Sequence, residues 1–354
     1  MLEMSSLKPI DFKENKLYLL DQRLLPLEEN YVEIETIEQT HEAIKQMIVR
    51  GAPCIGFTAI YGMAFAVLQT KKFNFEKIEE KGAYLASSRP TAVNLKFEIQ
   101  KVLNFLKILA RENDDPIFLF KKIVELGDKE IKLSEARNRN MATVAREELR
   151  SNLGKDKYKI LTHCNTGHLA CGSLGTALGV IEHLADCGEI ETVWVDETRP
   201  YLQGSRLTYY ELSKLDIEHQ IVTEGAASYL MSHGLVDAIF TGADRVVANG
   251  DTANKIGTAN VAILANHFQI PFYIVAPQST FDFESEHGNQ IDIELRDPEE
   301  ILKYNGQQIA PYSAKAFNPS FDVTPGELIS GIINEHGIAK GDYKSSLGEI
   351  CHYD

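Results

Sequence analysis

The pattern that most restricts the fold lies between residues 157 and 276. Apolar, β-branched runs at 157–162, 192–196, 219–222, 236–241 and 271–276 read as strands. Helical periods sit between them, at 172–184, from Leu207, and through 229–231. Strands and helices alternating at this spacing predict a parallel, doubly wound sheet with right-handed crossovers. In such a sheet the loops after the strands emerge at one carboxyl edge, so residues far apart in sequence converge there. Residues 281–325 read as irregular, and Thr324-Pro325-Gly326-Glu327 carries the signature of a helix start.

The N-terminal part has another rhythm. Residues 10–12 and 16–21 flank a turn-prone Lys13-Glu14-Asn15, which predicts a β-hairpin. Helical periods begin at Thr36 and end at Arg50-Gly51-Ala52-Pro53. The stretch 55–68 is apolar nearly all round, as in a buried helix. Helical periods continue over 73–113 and 116–152, broken at 87–91. The expectation is an α/β protein in two parts: a mainly helical N-terminal domain (1–150) with its short hairpin, and a parallel-sheet domain (151–354). The 354 residues are enough for both cores.

A net charge of −15 argues against a nucleic-acid partner. No apolar run reaches the roughly 20 residues a membrane span needs, and Met1-Leu2-Glu3-Met4-Ser5 does not read as a signal peptide. Five cysteines without CxxC spacing do not suggest a disulfide framework, so a reducing cytoplasm is expected.

The strand ends carry the candidate chemistry. After the first come His163-Cys164-Asn165-Thr166-Gly167-His168; after the second, Glu197-Thr198-Arg199-Pro200 and Gln203-Gly204-Ser205-Arg206. After the fourth come Gly242-Ala243-Asp244-Arg245, Asn249-Gly250-Asp251 and Asn254-Lys255-Ile256-Gly257-Thr258. Cys164 stands before a helix expected near Gly167, whose N-terminus would favour a thiolate; a small buried hydrophobe is the other reading. His163, Cys164, His168 and Cys171 fit no standard zinc spacing, so no metal is expected. Asp244 is either a loop cap paired with Arg245 or an acid/base group, its pKa raised by partial burial behind an apolar strand. Arg50-Gly51-Ala52 and Arg89-Pro90-Thr91 are basic spots at helix boundaries, suited to a phosphate or to ordinary salt bridges. The signatures GxGxxG, GxxxxGK[ST] and GxSxG are absent, so neither a nucleotide cofactor nor a serine hydrolase is indicated.

Taken in order, 50–56, 88–95, 162–167, 197–200, 203–208, 242–245, 249–251 and 254–258 resemble the methylthioribose-1-phosphate isomerase family, over about residues 8–343. This wider family also includes translation initiation factor 2B subunits and ribose-1,5-bisphosphate isomerases. The resemblance implies a helical domain joined to a Rossmann-like one, a homodimer, and no metal or organic cofactor. It also implies an aldose–ketose isomerase of methionine salvage acting on a sugar phosphate. Cys164 and Asp244 fall on the family's catalytic cysteine and aspartate. Substrate contacts fall on Arg50, Gly51, Ala52, Arg89, Gln203, Asn254 and Lys255.

Thr166 and His168 stand where the family more often has small residues, and Ala259 where it commonly has tyrosine. These departures bear on which sugar is accepted. The alternatives are an isomerase of 5-deoxyribose 1-phosphate, a ribose-1,5-bisphosphate isomerase, and a non-catalytic regulatory subunit. Retention of both Cys164 and Asp244 speaks against the last.

Overall fold

The computed structural model describes residues 7–90, 92–304 and 306–351; Thr91 of the second basic spot lies outside them. The chain forms two units, Met1–Ala136 with Gly167–Gly175, and Arg137–Thr166 with Thr176–Asp354. Among the described residues no helix is long and apolar enough to cross a membrane.

The first unit opens with β1 (Ile10–Lys13), β2 (Lys16–Leu20) and β3 (Tyr31–Ile34), an antiparallel sheet. The expected hairpin is therefore two strands of three; β3 was missed because Tyr31–Ile34 is short and mostly exposed. Then come α1 (Ile37–Lys45), α2 (Ala52–Leu68), α3 (Phe75–Ala86), α4 (Val93–Leu109) and α5 (Pro116–Asn152), which runs on into the second unit. Thr36 and Gln39 form a capping box at the start of α1, which fixes that boundary locally. Cys54–Val67 of α2 is buried throughout, the centre of a core shared with α1, α3 and α4. The segment after β4 contributes α6 (His168–Cys171), where the Leu169 carbonyl accepts from Gln22 Nε2 at 2.8 Å.

The second unit is built on β4 (Tyr158–His163), α7 (Ala177–Asp186), β5 (Ile190–Asp196), α8 (Tyr209–Lys214), β6 (His219–Val222), α9 (Ala227–Ser232) and β7 (Ala238–Thr241). β8 (Arg245–Val247), β9 (Thr252–Lys255), α10 (Thr258–His267), β10 (Phe272–Val275) and β11 (Phe281–Asp282) follow. After the short α11 (Glu299–Leu302), β12 (Lys303–Tyr304) and β13 (Gln307–Gln308) come β14 (Phe321–Thr324), β15 (Gly331–Asn334), β16 (Gly337–Ala339) and α12 (Tyr343–Ile350).

The main sheet has the order β6-β5-β4-β7-β10-β15-β16, parallel except for β16 at the edge. One face packs Tyr158, Ile160, Val193, Phe240 and Tyr273 against α5 and α7. The other packs Leu161, Ile239, Phe272 and Ile274 against α9, α10 and α12. The period of two along each strand feeds two cores, as a doubly wound sheet requires. Strand order reverses between β4 and β7, the position where such sheets open a crevice at the carboxyl edge.

Three local expectations are corrected. The polar stretch after β7 holds a hairpin, β8–β9, in a second sheet of order β11-β8-β9-β14. Thr324-Pro325-Gly326-Glu327 opens a single 3₁₀ turn (Gly326–Leu328), not a helix. Behind it Gly331–Asn334 (β15) is drawn into the sheet beside β10, and packing overrides the cap signature. The helix expected from Gly172 begins at Ala177, because Gly172 takes φ +76° and ends α6.

Candidate active site

Cys164 follows the last residue of β4 with φ +63°, a left-handed backbone that costs a non-glycine residue free energy. Two hydroxyls hold it there. Its N–H donates to Thr198 Oγ1 at 3.0 Å, and its carbonyl accepts from Thr208 Oγ1 at 2.6 Å. Neighbouring Asn165 donates to Thr208 Oγ1 (3.2 Å) and to the Glu211 carboxylate (2.8 Å), all of them buried. The two bonds to Cys164 satisfy backbone groups; the positive φ is of the kind that clusters at functional sites, and Cys164 stays a candidate on that ground. The expected helix-terminus contribution is weaker than foreseen: α6 is a single turn of four residues.

The loop after β7 lies beside this one. Thr162 Oγ1 donates to the Phe240 carbonyl at 2.9 Å, tying β4 to β7 near their ends. A Cβ on Gly242 would stand 2.5 Å from Thr166 Cγ2, so the two loops are in contact and a side chain there would displace Thr166. Asp244, two residues on, donates its N–H to the Ala253 carbonyl at 2.9 Å, which anchors it to β9. Its side chain is exposed, not partly buried. β7 stops at Thr241, leaving Asp244 beyond the apolar strand.

The remaining sheet-side residues lie at the same edge. Gln203 is buried, and its Oε1 has no hydrogen-bond partner among the described residues. Such an atom is the kind a ligand satisfies. Gln203 precedes a π-helical turn (Gly204–Thr208), a form often found at functional sites. A Cβ on Gly204 would stand 2.6 Å from the Asp196 carbonyl, which presses this turn against the end of β5. Asn254 is buried and donates to Thr258 Oγ1 at 2.9 Å; the Thr258 hydroxyl donates to the Lys255 carbonyl at 2.7 Å. Lys255 Nζ lies over the Phe321 ring, 5.3 Å from its centroid. The Ala259 N–H donates to Asp322, whose carboxyl burial pushes above its ordinary value.

Arg50, Gly51, Ala52 and Arg89 belong to the first unit. Gly51 has φ +88°, and a Cβ there would stand 2.4 Å from the Ala170 carbonyl; Ala52 is the first residue of α2. Arg50 is buried and Arg89 half-buried, the latter in the turn between α3 and α4. Gly56 of α2 lies against Asn94 and Glu98 of α4, so the first turns of the two helices run together.

The sequence reading singled out neither Thr198 nor Thr208. Both stand within the quoted segments, and only the fold shows that their hydroxyls grip the Cys164 backbone. Metal ligation was not expected, and both His163 ring nitrogens are already engaged, with Asp196 and with the Ile256 carbonyl.

The pattern described as the Initiation factor 2 subunit family matches residues 48–341. The chain belongs to that family. A methylthioribose-1-phosphate isomerase of Thermoanaerobacter sp. (strain X514) is 43% identical over 349 residues, which cover 97% of this chain and 99% of that one. The crystal structure of 5-methylthioribose 1-phosphate isomerase from Pyrococcus horikoshii OT3 is similar, with a TM-score of 0.88 and 38% identity. That match covers 97% of this chain and 95% of the other. A structure described as translation initiation factor eIF-2B, subunit delta, from A. fulgidus matches with a TM-score of 0.86 and 35% identity over 98% and 99%. The likeness read from the ordered segments thus extends over nearly the whole chain.

Proposed function

We propose that this protein is an aldose–ketose isomerase converting 5-methylthioribose 1-phosphate into 5-methylthioribulose 1-phosphate, a step of methionine salvage. The observation that carries this reading is the pairing of a backbone-strained Cys164 and an anchored Asp244 on touching loops at the reversal of strand order. The names of the similar isomerases support it.

A phosphate ester on O1 locks the anomeric carbon, so no free aldehyde exists. Asp244, as general acid, protonates the ring oxygen and the C1–O bond opens with phosphate still attached. Hydrogen then leaves C2 and arrives at C1, while the C2 hydroxyl gives its proton back to Asp244 and becomes the ketone. Cys164 serves the C2-to-C1 step, either relaying a proton through an enolate-like intermediate or stabilising a direct hydride shift. Turnover in D2O tests the relay: deuterium at C1 marks proton transfer, whereas a hydride shift or a relay fully shielded from solvent leaves none.

Arg50 and Arg89 hold the phosphate, assisted by the N–H groups of Gly51 and Ala52; Gln203, Asn254 and Lys255 orient the sugar. No organic cofactor is needed, since the redox change is internal to the substrate. This reading places the protein in the cytoplasm as a homodimer, to be checked by fractionation and light scattering.

The test is a panel of 5-methylthioribose 1-phosphate, 5-deoxyribose 1-phosphate and ribose 1,5-bisphosphate, with the ketose identified by NMR. A clear preference in kcat/KM for the methylthio sugar is expected. Equal efficiency with the deoxy sugar would defeat a dedicated salvage role, and no turnover of any would return the chain to the regulatory-subunit reading.

A further inference from the structure

The last residue of β4 is a histidine for which the reaction so far has no task. His163 is 1% exposed, and its ring is engaged at both ends. Nδ1 lies 2.7 Å from Asp196 Oδ2 at the end of β5, and Nε2 lies 2.9 Å from the Ile256 carbonyl. A carbonyl only accepts, so Nε2 carries a hydrogen and donates there.

Ile256 follows Lys255 in the turn between β9 and α10. The ring also touches the next residue. A Cβ on Gly257 would stand 2.8 Å from His163 Cε1, and Gly257 has φ +102°. On its other side the turn is closed by Asp322, which accepts from the N–H groups of Gly257 (2.7 Å) and Ala259 (3.2 Å). The Ile256 N–H donates to the Ser320 carbonyl at 3.0 Å. One buried side chain thus joins the strand end before Cys164, in the main sheet, to the turn after Asn254 and Lys255, in the second sheet. Volume alone at this position would be met by leucine. A polar ring buried here is disfavoured unless its hydrogen bonds are made, and both of them lead to strand ends at the site.

We propose that His163 is a positioning residue of the isomerase site. Oriented by Asp196, its Nε2–H holds the 254–258 turn in register with Cys164, so that Asn254 and Lys255 stand ready for the sugar phosphate. This rests on the reading of those two residues as substrate contacts.

The test uses the full-length protein with His163→Asn and His163→Gln. The glutamine amide reaches roughly where Nε2 sits and keeps a donor for Ile256; the asparagine amide, roughly at Nδ1, keeps only one for Asp196. Amide hydrogen exchange over 254–260 is measured beside steady-state kinetics on 5-methylthioribose 1-phosphate. In His163→Asn we expect faster exchange there and KM raised about tenfold, with kcat changed far less. His163→Gln should restore much of both.

A merely structural role would lower the melting temperature of both variants alike, without a split between KM and kcat or rescue by glutamine. Wild-type exchange in His163→Asn would overturn the proposal, as would faster exchange with unchanged kinetics. Should His163→Asn fail to fold, Asp196→Asn keeps the histidine but loosens its orientation. It should raise KM in the same direction, and wild-type kinetics there would equally overturn the tether. Inactivity of the wild type on this sugar would instead sink the functional reading, and the exchange comparison alone would then judge the tether.

Discussion

Helix α2 and the loop around Cys164 are both buried, yet they are held by different forces. From Cys54 to Val67 every residue of α2 is buried, with aromatic, aliphatic and small side chains on all faces. Its position follows from removing apolar surface from water, a force without direction. Around Cys164 the buried groups are Thr198, Thr208, Asn165, Glu211, His163 and Asp196, and each takes part in a specific hydrogen bond. Such groups add little net stability but impose geometry, because a broken bond leaves a buried polar atom unsatisfied. The first region secures the fold; the second holds one cysteine in a conformation it would not choose.

The largest effect should come from removing the two proposed reacting groups. Asp244→Asn and Cys164→Ser are each expected to lower kcat by about 10³-fold or more, with unchanged circular dichroism. Full activity in either variant would remove that residue from the mechanism. The converse belongs to α2. Phe65→Ala should cost about 3–5 kcal/mol in denaturant unfolding, and whatever folds should retain its KM.

Thr208→Val stands between the two, since it keeps the shape and deletes a hydroxyl that both donates to Cys164 and accepts from Asn165. About 1–3 kcal/mol of stability should be lost, with a fall in kcat that Phe65→Ala does not show. A variant that lost stability but kept kcat would dissolve the contrast between the regions.

The smallest effect concerns Asp251, in the turn between β8 and β9. Burial pushes its carboxyl up, but hydrogen bonds from Asn249, Gly326 and Gly288 outweigh this and hold it below its ordinary value. A depressed folded value means that the ionised group stabilises the fold above the unfolded value of about 4, and that this is lost as pH falls through the lower folded value. Wild type should therefore exceed Asp251→Asn in stability at neutral pH by less than about 1 kcal/mol, given solvent screening. The gap should close on acidification; a gap constant with pH would show that charge is not the cause.

Much of the scaffold was legible because its causes are local. The α1 boundary lies in Thr36 and Gln39, the burial of α2 in its composition, and the sheet strands in β-branched runs between turns. The candidate site was legible as a set of strand-end loops too polar for a core. The β8–β9 hairpin was not, because strands of three and four residues carry too little alternation to register. Nor was the exposure of Asp244, which depends on where β7 ends, or the fate of Gly331–Asn334, which β10 decides.

By itself, then, the sequence determined that strands and helices alternate from residue 157, and so that the loops of Cys164, Gln203 and Asp244 share one edge, because parallel crossovers allow no other arrangement. Only the tertiary structure decided that β4 and β7 are neighbours at the reversal, that Cys164 takes φ +63°, and that His163 reaches Ile256. Those outcomes rest on contacts between residues 34 to 93 positions apart, such as Thr198 with Cys164 and His163 with Ile256. No local preference encodes such pairs; they exist once the sheet has brought the strand ends together.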